Sequence, residues 1–112
     1  NCTLCHDNRS IIQRGPEGEL IKNKGGYQFA GPNLTHVASR GLLAAGVFDN
    51  RDESGRVNTA LFQENLRKWL EDPHTWKPGN LMATHADVLT DPDKGLSETE
   101  LDAVVAYISS LK

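Results

Sequence analysis

Near one end of the sequence, Cys2, Thr3, Leu4, Cys5 and His6 read C-x-x-C-H, two thiols and an imidazole within a single short stretch. Three chemistries use that spacing: a redox dithiol, a zinc site, and covalent attachment of a haem. A structural zinc ion takes four nitrogen or sulfur ligands, commonly from paired sets, and the chain's 2 cysteines leave no second C-x-x-C. The other histidines are His36, His74 and His85, and no two of them have the short H-x-x-x-H spacing. A redox dithiol belongs at a strand-to-helix turn in a βαβ setting, and no strong strand pattern precedes Cys2. A disulfide between the two sulfurs would close a tiny loop and stabilise little. Haem attachment accounts for the histidine as well, because the sulfurs add to the two vinyl groups while the adjacent imidazole is delivered to the iron.

An electron-transfer haem takes a sixth ligand, and a thioether stabilises ferrous iron and raises the potential. Met82 is the chain's 1 methionine. Most methionines fill cores. This one is flanked by Gly79, Asn80 and Ala83 rather than by periodic apolar residues, and "KPGNLM" predicts a rigid extended loop that presents the sulfur as a ligand. His85, a few residues on, is the alternative sixth ligand, giving a bis-histidine site.

Helices must position these groups. "TALFQENLRKWLED", Thr59 to Asp72, spaces Phe62, Leu66, Trp69 and Leu70 as one helical face, and Pro73 ends it. Leu96, Ser97 and Glu100 supply a hydrophobic staple, an N-cap and its box partner for a final helix. Leu101, Val104, Val105, Ile108 and Leu111 continue its apolar face. "IIQRGPEGELIK" predicts a small β-hairpin within residues 10–22. Residues 49–58 and 72–80 read as polar, proline- and glycine-rich loops. The expected class is mostly α, one domain over residues 1–112, with too few apolar residues for a large core unless a cofactor fills the middle.

At 112 residues, 38% hydrophobic and 24% charged, the chain has the composition of one folded domain. Its lysines and arginines are scattered rather than gathered into a basic stripe, which argues against a nucleic-acid partner. The net charge of −3 comes from the acids after Thr59. No apolar run approaches the roughly 20 residues of a membrane helix, so direct membrane insertion by this stretch is not expected.

Taken together, "CTLCH", "GPNLTHVASR", "NTALFQENLRKWLEDPHTWKPGNLM" and "LSETELDAVVAYISSLK", in that order, resemble the class I cytochromes c. The middle blocks look most like the cytochrome c domain fused to subunit II of caa-type haem-copper oxidases. The resemblance implies the cytochrome c fold, with one haem c bonded to Cys2 and Cys5 and axial ligands His6 and Met82. By similarity, Pro32 supplies the carbonyl that accepts the free ring N–H of the proximal imidazole. Arg40 matches the position that pairs with a haem propionate, while Trp69 and Trp76 match aromatic positions on the distal side and the propionate edge. Asn58, Thr59 and Asn65 are further candidates for polar contacts at that edge. Two departures stand out: family members usually carry a helix before C-x-x-C-H, and Ala83 stands where a proline commonly follows the ligand methionine.

With both axial positions filled by the protein, the resemblance implies electron transfer rather than catalysis by this domain. The expected donor is a respiratory cytochrome or small carrier, and the expected acceptor is the copper centre of a terminal oxidase. The isolated piece is expected to be monomeric and extracytoplasmic, because thioether attachment requires export. It is expected to be tethered to the membrane through a parent subunit of which it is a fragment. A free-standing cytochrome c with another acceptor is the alternative, and a haem sensor or enzyme with a displaceable Met82 belongs to a different class.

Overall fold

The computed structural model describes residues 2, 6, 16, 17, 31–85 and 95–112, the side chains of 84 and 85 excepted. The hairpin predicted within residues 10–22 lies outside the described residues apart from a turn at Pro16 and Glu17. In chain order the elements are β1 (Leu42–Leu43), β2 (Phe48–Asp49), α1 (Thr59–Glu71), α2 (Pro73–Trp76), α3 (Leu81–His85) and α4 (Glu98–Ser109). Short 3-10 turns at Val37–Ser39 and Ala44–Gly46 precede and join the strands.

α1 begins where Asn58 caps it, its side chain accepting from the Leu61 N–H, which satisfies an amide that no earlier turn can reach. It buries Phe62, Asn65, Leu66 and Leu70. Asp72 then caps α2 by accepting from the Thr75 N–H, with Pro73 in the first turn, where its missing amide is harmless. The segment read as a loop over 72–80 therefore contains a short helix: the same proline that ends α1 starts α2. α4 carries the expected capping box, Ser97 and Glu100 each bonding to the other's backbone. It packs along α1 and buries Leu101, Val105, Ile108 and Ser109.

The strands form a small antiparallel pair, with Leu42 opposite Asp49 and Leu43 opposite Phe48. Ala44 and Ala45 between them are both left-handed, with φ of 52° and 58°, a conformation that crowds a Cβ. Leu43 and Phe48 turn inward to join Val37 and Ala38, the α1 leucines and the α4 face in one core. The polar stretch over 49–58 is likewise more ordered than a free loop. Asp49 belongs to β2, Arg51 bridges Val57, and the Asp52 carboxylate accepts from the Ser54 and Arg56 amides to close the turn between them. Among the described residues, no helix is long and apolar enough to cross a membrane.

Candidate functional site

The His6 N–H donates to the Cys2 carbonyl at 2.8 Å. The Cys2 thiol is free and exposed. Cys5 lies outside the described residues. Across the molecule, the Pro32 carbonyl oxygen is 2.8 Å from His6 Nδ1. A carbonyl can only accept, so Nδ1 carries a proton, and in the neutral ring Nε2 is the nitrogen with the lone pair. The imidazole is thereby fixed in tautomer and aim, the preparation a metal-binding histidine needs. Gly31 makes the approach possible: a Cβ there would fall 2.4 Å from Cε1 and 2.5 Å from Nδ1 of the ring.

The turn that carries Pro32 is braced from within and from behind. Asn33 Oδ1 accepts from the Thr35 N–H at 2.7 Å. Arg40 reaches back, one guanidinium nitrogen donating to the Asn33 carbonyl at 2.8 Å and the Thr35 carbonyl at 3.1 Å. Arg40, expected at a propionate, thus has backbone carbonyls as its partners here.

Met82 lies in α3, one residue past its start, half-buried and packed against the core. The extended loop expected for it is instead a helical turn capped by Asn80, whose Oδ1 accepts from the Ala83 N–H at 2.7 Å. The side-chain amide of Asn80 also donates to the Pro73 carbonyl at 2.8 Å, tying α3 to α2. Trp69, on α1, packs against the same core cluster as Met82. Trp76 is 41% exposed and stands against Phe48 in a tilted ring pair with centroids 4.8 Å apart. The structure therefore gathers Cys2, His6, Gly31, Pro32 and Arg40 into one bonded group, sets Met82 and Trp69 on the core, and gives Trp76 to the strand pair.

Asn50 gains weight that the sequence did not give it, and Asn65, a candidate for a polar contact at the haem edge, has Asn50 and a backbone carbonyl as its partners. Asn50, inside the stretch read as a polar loop, is fully buried at 0% exposure, and Asn65 is 6% exposed. The Asn65 side-chain amide donates to Asn50 Oδ1 at 2.9 Å and to the Asp49 carbonyl at 3.1 Å. Asn58 is the cap of α1. A signal for Asn65 was present: it occupies the stripe of Phe62, Leu66 and Trp69, where a buried amide demands a partner. Nothing comparable marked Asn50.

Electrostatics at the margin of the group is set by local pairs. Arg51 donates to both carboxylate oxygens of Asp49, at 2.8 Å and 2.6 Å, and these bonds hold the Asp49 pKa down at about 2. Among the described residues, no cluster of three or more histidine, cysteine or carboxylate side chains could hold a bare metal ion.

The chain is 34% identical over 83 residues to the cytochrome c oxidase subunit 2 of Alkalihalophilus pseudofirmus. It is 36% identical over 81 residues to the protein of that name from Bacillus sp. strain PS3. These matches take in 74% and 72% of this chain but 18% and 17% of the relatives, so the chain spans less than a fifth of their length. No protein-family model matches the chain, and no solved structure matches it.

Proposed function

We propose that this chain is a monohaem c-type electron-transfer domain of a protein like cytochrome c oxidase subunit 2, with the class I cytochrome c fold. In this reading it takes electrons from a respiratory donor outside the cytoplasm and hands them to the copper centre of a terminal oxidase. The observation that carries the reading is the His6 imidazole. Its Nδ1–H is committed to the Pro32 carbonyl and its Nε2 lone pair is left for a metal, yet no cluster of protein ligands gathers among the described residues. A macrocycle that brings its own four nitrogens and needs only axial donors suits that arrangement, and C-x-x-C beside His6 supplies its covalent anchor. The similarity to cytochrome c oxidase subunit 2 supports the same reading.

When bound, the haem supplies a one-electron couple. The residues of the chain do the rest. Cys2 and Cys5 would anchor the haem covalently, and His6, oriented by Pro32 over the bare Cα of Gly31, would offer Nε2 to its iron. Met82 would supply a second, soft donor that favours the reduced state. With His6 and Met82 both serving as ligands, the chain would leave substrate no place to bind and ligation would not need to change with oxidation state, which would keep reorganisation small.

The test is the holoprotein purified after export. After acid-acetone extraction the visible spectrum should stay with the polypeptide, and Cys2→Ser with Cys5→Ser should release it. Met82→Leu should lower the midpoint potential and remove the sulfur-to-iron band of the ferric protein. An unchanged potential and spectrum in Met82→Leu would take the methionine out of the site.

A further inference from the structure

We propose that Asn50, oriented by Asn65, is a positioning residue for the His6 imidazole, acting through Arg40 and the turn that presents the Pro32 carbonyl. The inference rests on the reading of His6 as an axial ligand and extends it to residues remote from the metal.

The path is continuous in hydrogen bonds and backbone. His6 Nδ1–H donates to the Pro32 carbonyl. The next carbonyls of that turn, Asn33 and Thr35, are gripped by the Arg40 guanidinium. The Arg40 carbonyl in turn accepts from Asn50 Nδ2 at 3.2 Å, and the Asn50 N–H donates to the Gly41 carbonyl at 2.8 Å. The consecutive carbonyls of Arg40 and Gly41 therefore both accept from Asn50, which holds the base from which Arg40 reaches. Asn50 Oδ1 accepts from Asn65 Nδ2, which settles which end of the Asn50 amide faces Arg40. Asn65 belongs to α1, between the buried Phe62 and Leu66, so the last link is a packed helix.

A buried amide pair costs desolvation unless fully bonded, and two well-packed apolar residues would fill the same space without that cost. Both amides here are spent on carbonyls and on each other. The gain is direction: a hydrogen bond from Nδ1–H to a carbonyl strengthens the ring as a donor through Nε2 only while that carbonyl keeps its place. Loosening Asn50 should lengthen the Pro32 contact, weaken the ring as a donor and favour the reduced metal. The potential should then move positive.

The experiment uses the haem-loaded protein and variants Asn65→Leu and Asn50→Ala, with Ser97→Ala as the control. Ser97 caps α4 and touches none of this path, so its loss lowers stability alone. In the relay variants the His6 Nδ1 proton, followed by NMR, should exchange with solvent about tenfold faster, because the turn that covers it opens more readily. The midpoint potential should rise. Ser97→Ala should lower the melting temperature with the His6 proton and the potential unmoved. Should the relay variants fail to fold, the wild-type protein still decides. The Asn50 side-chain amide protons and the His6 Nδ1 proton should then show matched protection, and an Asn50 amide that exchanges about a hundredfold faster than His6 overturns the proposal. Relay variants that melt earlier with exchange and potential unchanged overturn it too. A polypeptide that carries no covalent haem overturns the ligation reading itself, an outcome told apart by mass before any variant is made.

Discussion

Along the contact of α1 with α4, Phe62, Leu66, Leu101 and Ile108 are between 0% and 6% exposed and meet through hydrocarbon. The turn at 31–35 meets His6 through one carbonyl and is braced by an asparagine side chain and an arginine. Apolar burial is additive and tolerant of direction, so the helix pair is defined by its pattern of residues. Hydrogen bonds contribute little net stability and much orientation. The helix pair therefore answers for whether the chain folds, and the turn for whether an imidazole is aimed.

That division predicts different symptoms for different lesions. Phe62→Ala, in the helix contact, should cost about 3–5 kcal/mol from lost burial and a residual cavity, seen as a large drop in the denaturant midpoint. Where the variant still folds, its His6 environment should be unchanged by NMR. Gly31→Ala should do the reverse. Its Cβ would stand 2.4 Å from the imidazole, so the ring or the turn must shift, at about 1–3 kcal/mol for an overpacked site. The His6 signals and the metal's spectrum should change far more than the melting temperature suggests.

Arg67 offers a smaller test on the helix side. It bonds Glu71 on its own helix and reaches Glu98 and Asp102 on α4, the one cation of a three-carboxylate fan. Arg67→Ala should lower the denaturant midpoint slightly at low salt and by less in concentrated salt, because its partners are largely exposed and screened. The site spectra should not respond.

The sequence was more legible on the helix side for the same reason. The α1 stripe, the Asn58 and Ser97 caps and the proline stop are local signals, each complete within a few residues. The two stretches read as loops resisted, because β2, the Arg51–Val57 bridge and the turn of α2 depend on partners that periodicity does not record. His6 and Pro32 came from a motif and a resemblance, and their contact spans 26 residues. Asn50 was illegible: its burial follows from where β2 sits against Arg40 and Asn65, and an Asn in a polar stretch otherwise reads as solvated. Around Met82 the expected extended loop is a short helix, because five residues capped by Asn80 carry no apolar period to read.

The subtlest effect separates the regions by acid. Asp49, next to Asn50, is held at about 2 by its bonds to Arg51, below the 3.8 of an unpaired aspartate. The folded state thus binds this proton less readily than the unfolded chain does. Whatever the pair contributes is complete above about 3.8 and is lost as pH falls toward 2. The caps of the helix side, Asp72 and Glu100, are also lowered, the first mainly by the Thr75 hydroxyl and the second by the Ser97 amide. Carboxyl carbon titration should place the Asp49 midpoint near 2. In Asp49→Asn the acid limb of the stability curve should flatten below about 3.8, with the limb due to Asp72 and Glu100 intact. An Asp49 that titrates near 3.8 would mean that Arg51 does not hold it in solution, and that β2 reaches Asn50 without that brace.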